Sequence, residues 1–520
     1  MRKIILFSLS ALLLAGCTKS PPSDTLFIHL GAEPPTLDPS RAESVVDMRI
    51  LQNILEPLLE YDESLELHGA MANVWHVSED GLTYTFDLET DRVWSDGKPV
   101  SAEDYRYSML RTLDPKVPSK LAYLLYPIKN AKAFKIGAIK NSEAVGIKVT
   151  NPYQIVITLE QPSRDFIHAF ANVITFPQRK DIVEKFGEKY GSDANIPSNG
   201  PYKLTEWKHD QQLTLVKNKS FGGNPKPRVE KIVARIVPEL TTALSLFETG
   251  QLHILEQFPP DTLQRFHHDP RMRIYPDFST YFIGFDTRKK PFSDKRVRLA
   301  FALSLNKEQI ENILQGDQPA AYSFVPPGIP GFNPTIGLRF DKAKAEKLLK
   351  EAGYPEGKGF PQVTFGFNTD VRHQRIAEWL EQQWRMNLGV SVKLQSEEWK
   401  VYLKTLQLSP PNIYRFAWAS IFPDPLSPLL LWVKGNPNNY TGWSSSKYDS
   451  LVDEIAKLSN SSQKLELVDQ AQRLLVEDDV PFIPIYFYAR NILVNPAVNG
   501  FRANGLGVLG YKYIYLEPIK

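Results

Sequence analysis

Residue types that do chemistry occur in this sequence, but not at the spacings of known catalytic motifs. None of the nine histidines belongs to an HExxH pair, and no GxSxG or GxxxxGK motif is present. His267 and His268 are adjacent in a polar turn, which indicates a solvated loop rather than a metal site. The motifs therefore predict no catalytic residue, metal or cofactor. Scattered Asp and Glu leave a hydrolase with paired carboxylates open as an alternative.

One glycine pattern resembles a nucleotide motif by chance. The residues from Gly505 to Gly510 match GxGxxG, but only ten residues follow them. A dinucleotide fold needs a helix and a second strand after this motif, and ten residues are too few for both. The match is therefore interpreted as a false positive.

Cys17 is the only cysteine in the sequence, and it follows a segment typical of a secretory signal peptide. Two basic residues precede an apolar run that ends at Leu14, which is shorter than the roughly 20 residues of a membrane-spanning helix. The segment up to Cys17 resembles the lipobox of bacterial lipoproteins. It implies a removed signal peptide (1–16), a lipid on Cys17 and a tether (17–24). A retained membrane anchor or a secreted product with a free thiol are the alternatives.

Composition excludes several classes of protein. Without Arg2 and Lys3, 59 basic and 59 acidic residues remain, so no basic surface for nucleic acid is expected. A single cysteine allows no intramolecular disulfide and no cysteine-based metal site. A chain of 520 residues predicts two to four packing units, and 40 prolines indicate many turns between short elements.

Hydrophobic periodicity predicts both strands and helices. Alternation with a period of two predicts strands over Leu82–Leu88, Gln154–Leu159 and Gln212–Val216. Helical periodicity predicts one helix over 341–352, which begins at Asp341 and stops at Gly353, and a second over 372–387, followed by a strand over 390–394. Helices that alternate with strands predict an α/β fold.

Several segments in succession match one protein family. From Glu33 onward the chain resembles the extracellular receptors of oligopeptide ABC importers, and more widely the peptide and nickel solute-binding family. The matching segments are Thr85–Leu88, Trp94–Tyr105, Glu184–Lys189, Ser198–Trp207, Pro291–Arg298, Asn387–Val392 and Pro484–Tyr488. Seven segments in the family's order are evidence for the family, but they do not specify which ligand is bound.

The resemblance implies a two-lobed periplasmic-binding-protein fold, a flytrap of mixed sheets flanked by helices. The implied first lobe comprises residues 25–55, 178–278 and 489–520, and an extra subdomain on it covers 56–177. The implied second lobe covers 279–488. The lobes close around a ligand.

The same resemblance implies a set of ligand-binding residues. Arg415 matches the arginine that binds a peptide carboxylate, a task suited to a planar guanidinium. The other implied site residues are His373 near the carboxyl end of the ligand, Trp399 and Trp418 as aromatic walls, and Glu43 at the cleft edge. For each residue, a structural role in the core or on the surface is the alternative.

The sequence departs from the family pattern at two places. Ile421 stands where the resemblance places an aspartate for the ammonium group of the ligand, so either Asp424 or Glu43 replaces that charge or no free amino terminus is needed. Ser279 and Ala419 stand where close relatives form a disulfide.

The implied function is that of an exported receptor, not an enzyme, which binds oligopeptides and passes them to membrane permease subunits powered by separate ATPases. We expect a monomer outside the cytoplasm, held to a bacterial membrane through its N-terminal lipid alone. The alternatives are a receptor for a modified or N-blocked peptide, a nickel chelate or another solute, and, in a different class, a folding helper or a hydrolase.

Overall fold

The computed structural model describes residues 24–259, 262–314, 318–458 and 462–518. The predicted signal peptide, Cys17 and all of the tether but Asp24 lie outside these residues. No helix in the described ranges is long and apolar enough to cross a membrane.

The described elements mix strands and helices along the whole chain. The strands are β1 Thr25–Leu30, β2 Leu59–Tyr61, β3 Leu67–Gly69, β4 Ala72–Val77, β5 Thr83–Leu88, β6 Ile147–Asn151, β7 Gln154–Thr158, β8 Tyr202–Lys208, β9 Gln212–Lys217, β10 Lys231–Ile236, β11 Ile254–Leu255, β12 Met272–Phe285, β13 Val363–Asn368, β14 Val392–Glu397, β15 Ile413–Ala419, β16 Phe482–Val494, β17 Val498–Asn499, β18 Ala503–Asn504, β19 Gly507–Val508 and β20 Tyr515–Leu516. The α-helices are α1 Val45–Ile54, α2 Ala102–Leu113, α3 Ala131–Lys135, α4 Lys180–Phe186, α5 Leu240–Glu248, α6 Leu263–Phe266, α7 Lys295–Leu303, α8 Ile310–Leu314, α9 Lys342–Glu351, α10 Val371–Leu388, α11 Trp399–Leu408, α12 Leu426–Leu429, α13 Ser446–Lys457 and α14 Ser462–Arg473.

One sheet of ten strands runs through both lobes, in the order β14-β13-β15-β12-β16-β11-β1-β10-β9-β8. The two long antiparallel strands β12 and β16 join its halves. Of the implied lobes, the first contains β1 and β8 to β11, and the second contains β13 to β15. The implied lobe boundaries at 278/279 and 488/489 fall inside β12 and β16.

A second sheet of four strands, in the order β4-β5-β7-β6, lies within residues 56–177, here called the small-sheet region. Its strands follow the predicted alternation, since Tyr84, Phe86 and Leu88 of β5 are buried. The largest hydrophobic core joins this region to the first lobe and continues into the second lobe as far as Trp432 and Phe482. A separate core fills the second lobe between β13 and the helices α7 and α10.

The predicted elements are confirmed with small changes at their ends. Asp341 caps α9 by accepting a hydrogen bond from the Lys344 N–H (2.9 Å). Asp370 caps α10, and Gly389 ends it in the left-handed conformation with φ of 69°. The GxGxxG match lies on the short hairpin of β18 and β19, where Gly507 has φ of 147°. The segment is a hairpin with no dinucleotide-binding helix after it among the described residues.

Candidate functional site

A buried arginine without an acidic partner marks the centre of the site. Arg415 lies on β15 and is 7% exposed. Its guanidinium donates hydrogen bonds to Asn368 Oδ1 (2.8 Å) and to the Tyr488 hydroxyl (3.1 Å), and its Nε has no partner. Among the described residues, no carboxylate oxygen lies within 4.0 Å of it. Burying a cation in this way is costly unless an anion completes the site.

His373 faces the same place from the first turn of α10. It is 6% exposed, and its Nδ1 is buried without a hydrogen-bond partner. Burial, together with the positive charge of Arg415, holds the pKa of His373 well below its usual value, so the ring is neutral. The Tyr281 ring contacts both groups, with its centroid 5.0 Å from the Arg415 guanidinium carbon and 5.6 Å from the His373 ring. The sequence-predicted pair is therefore brought together around an incomplete anion site.

The strand that carries Arg415 has one open edge. All seven residues of β15 pair with β12, but only Ile413 and Tyr414 pair with β13 on the other side. The Arg415 carbonyl points to that second side, where it accepts a hydrogen bond from the Tyr402 hydroxyl (2.7 Å). Because strand backbone groups alternate, Ala417 and Ala419 point their N–H and C=O groups to the same open side. No strand of the described residues pairs with Arg415, Ala417 or Ala419 on that side.

The two predicted tryptophans and Ile421 belong to the large core, beside the other face of β15. Trp418 is 9% exposed, and its Nε1 is buried without a partner. Trp399 opens α11 and is partly buried against the same core, as is Ile421. Ile421 offers no charge, and its backbone N–H donates to Ser427 Oγ (2.6 Å). These three residues are therefore apolar parts of the large core or its border.

Asp424 is engaged by the protein itself. Its Oδ2 accepts a hydrogen bond from Lys464 Nζ (2.8 Å), and its Oδ1 accepts one from the Leu426 N–H (2.8 Å). The same Lys464 Nζ donates to Asp165 Oδ2 of the small-sheet region (2.7 Å). Burial alone would lower the pKa of Lys464, but the two carboxylates outweigh it and raise that pKa above its usual value. We call these three residues the lysine triad.

Glu43 also has a cation of its own. Its Oε2 lies 3.1 Å from Lys120 Nζ, which donates a hydrogen bond to the Tyr440 hydroxyl (3.1 Å). These contacts join the first lobe, the small-sheet region and the second lobe. Lys120 and Tyr440 line a groove of ≈ 870 Å³ between the last two. Glu43 therefore sits at a closing contact, away from Arg415.

The two positions implied to carry a disulfide in relatives lie directly opposite each other. Ser279 of β12 pairs with Ala419 of β15 in the ladder. A disulfide at this position needs no change of register, and its absence here follows from the residue types alone.

Several residues of the site escaped the sequence reasoning. Tyr281 and Asn368 flank Arg415, and Asp165 and Lys464 complete the triad. Tyr488 had a signal, because it belongs to the aromatic cluster at 486–488, where alternation places the first and third rings on one face. The other four residues come from distant parts of the chain, and no sequence pattern pointed to them. Within the described ranges, no group of three or more His, Cys, Asp or Glu is placed to hold a metal ion.

Comparison with known proteins identifies the family. The profile of the bacterial extracellular solute-binding proteins, family 5, matches residues 66–440. This chain belongs to that family. The oligopeptide-binding protein OppA of Bacillus subtilis is 31% identical over 509 residues, which cover 95% of this chain and 93% of that protein. The structure of the Escherichia coli murein tripeptide-binding protein MppA is 28% identical, with a TM-score of 0.90 over 95% of this chain and 99% of that one.

A second MppA structure matches this chain less well than the first. The unliganded open form of that protein matches this chain with a TM-score of only 0.68, although the identity is again 28% and the coverage 95% of this chain and 97% of that one. This chain therefore matches the first MppA structure well and the open form poorly, so its arrangement differs from that open form. Lys120 and Lys464 join the small-sheet region to the second lobe.

Proposed function

We propose that this chain is the extracytoplasmic receptor of a peptide ABC importer and is not an enzyme. It captures oligopeptides between its closing lobes and delivers them to membrane permease subunits, which separate ATPases drive. The observation that supports this proposal is the environment of the buried Arg415. Its hydrogen-bond partners are neutral, and its Nε has no partner beside the neutral His373. A terminal carboxylate completes such a site with charge-assisted hydrogen bonds.

The open edge of β15 supports a peptide rather than a small anion. A peptide that pairs with Ala417 and Ala419 adds a strand to the sheet, and its backbone hydrogen bonds do not depend on its sequence. Trp418 and Trp399 then border the side-chain pockets, with Ile421 further along the cleft. Water in such pockets adapts to different side chains, which favours broad specificity.

The remaining assignments are part of the same proposal. Residues 1–16 are a signal peptide, Cys17 carries the lipid that holds the protein to a bacterial membrane, and residues 17–24 are the tether. The lobes are divided as the family resemblance implies, and the protein acts as a monomer. Ligand contacts with both lobes favour the closed state, which the permease recognises.

Native mass spectrometry of the purified protein tests the function. We expect a ladder of co-purified peptide masses on the wild-type protein and none on an Arg415→Met variant that keeps its fold. A single non-peptide mass would favour a receptor for a nickel chelate or another solute. Shortening of added peptides during incubation would favour a hydrolase.

A further inference from the structure

The carboxylates at the closing contacts already have cations of their own. Glu43 is paired with Lys120, while Asp165 and Asp424 share Lys464 at 2.7 and 2.8 Å. The opposite holds for Arg415, which has no acidic partner among the described residues. Arg415 therefore offers an unpaired positive charge, whereas these three carboxylates are paired within the protein.

From Ala419 to Pro423, just beyond Trp418, no side chain carries a charge. Ile421 is apolar and partly buried, and the next ring, Phe422, stacks on His168 of the small-sheet region with centroids 5.9 Å apart and planes 3° apart. His168 also accepts or donates a hydrogen bond with the Tyr61 hydroxyl (2.7 Å). An aromatic ring of the small-sheet region therefore stacks on a ring next to Ile421.

Asp424, three residues after Ile421, does not supply the negative charge that Ile421 lacks. Both of its oxygens are occupied, one by Lys464 and the other by the Leu426 N–H. Burial and the neighbouring Asp165 raise the pKa of Asp424 above its usual value. Asp424 nevertheless already has a cation and an N–H donor within the protein.

We propose, on the basis of the peptide-binding function above, that the ligands are anions without a free amino terminus, such as N-acylated peptides. Their carboxylate binds Arg415, and their blocked end lies against Ile421. A free ammonium group buried there would lose its hydration without gaining an ion pair.

A mixed tripeptide library tests this inference. Equal amounts of free-amine and N-acetylated forms are added to ligand-stripped protein, and the retained masses are counted by native mass spectrometry. We expect the acetylated forms to be retained in excess, by up to about tenfold. Retention of the free-amine forms equal to or greater than that of the acetylated forms would overturn the inference and leave the proposed function standing. Retention of neither form would contradict both.

Three variants locate the effect. Ile421→Asp should shift retention at least tenfold towards free-amine peptides, whereas the uncharged control Ile421→Asn should not, provided that circular dichroism shows both folded. No shift in Ile421→Asp would contradict the placement of the blocked end. Asp165→Asn should leave the wild-type ratio unchanged. If it instead reduces retention of free-amine peptides tenfold, Asp165 binds an amine and the inference is wrong.

Discussion

Arg415 and Lys464 are both buried cations in the second lobe, but their surroundings differ. Lys464 is 0% exposed and has two carboxylates within 2.8 Å, one of them from the small-sheet region. Arg415 has an amide oxygen, a hydroxyl and a tyrosine ring. A charge that serves the fold is neutralised within the fold, because an unpaired buried ion costs several kcal/mol. A charge that serves a ligand is left for the ligand to neutralise.

The largest effect is expected from the cation that is paired. Lys464→Met should lower the free energy of unfolding by about 3–5 kcal/mol, because it leaves two carboxylates without their shared partner. Urea denaturation at neutral pH measures the change. The exposed Lys457 on α13 provides the control, and Lys457→Met should change stability by no more than about 0.5 kcal/mol. Similar values for the two variants would contradict a role for the triad in the fold.

The unpaired cation should behave in the opposite way. Arg415→Met should weaken peptide binding by about 100-fold or more, since the ligand carboxylate loses its ion pair. The ligand-free variant should melt no lower than the wild type, because an uncompensated buried charge has been removed. Calorimetry and thermal unfolding measure the two effects.

Arg490 on β16 is the matched control for Arg415. It is also largely buried but lies 2.7 Å from Asp277. Arg490→Met should therefore lower the melting temperature. If Arg415→Met destabilises the ligand-free protein as strongly as Arg490→Met does, Arg415 is part of the fold rather than of the ligand site.

Glu56 extends the comparison of buried charges from the two cations to a carboxylate. Burial raises its pKa to about 7, although Lys512 and Arg92 oppose this. The folded protein then holds a proton that the unfolded chain releases near pH 4.5, so stability is highest below that pH and falls as the pH rises towards 7. Glu56→Gln should remove this fall and stabilise the protein at pH 8 by about 2–3 kcal/mol. Denaturation at pH 4.5 and pH 8 tests it, and equal effects at both pH values would contradict it.

The smallest effect concerns the support of Arg415. Tyr488→Phe removes the hydroxyl that accepts a hydrogen bond from Arg415, so we expect peptide affinity to fall about three- to tenfold, equivalent to about 1 kcal/mol. Tyr275→Phe, at the far end of β12, should leave affinity unchanged. A loss of 100-fold in Tyr488→Phe would indicate that the hydroxyl contacts the ligand directly.

Local sequence patterns were sufficient for many elements of the fold. Asp341 and Gly353 bound α9 as predicted, and the strands β5 and β7 follow their alternation closely. Strand β9 forms where predicted, but Thr214 is buried together with Leu213 and Leu215. Caps and periodicity act within a few residues, so they can be read directly from the chain. The seven matching segments also predicted the family and two lobes. They did not predict that the small-sheet region contributes Asp165 to a contact with the second lobe.

The sequence by itself determined that this protein has one cysteine, balanced charge, no known catalytic motif and an isoleucine at position 421. It also singled out Arg415 and His373. Only the tertiary structure decided which charges are paired, because Lys464 and Asp165 are 299 residues apart along the chain. Whether a buried charge is neutralised depends on contacts within a few ångströms in space. The assignment of Arg415 to a ligand and of Asp424 to the fold rests on those contacts.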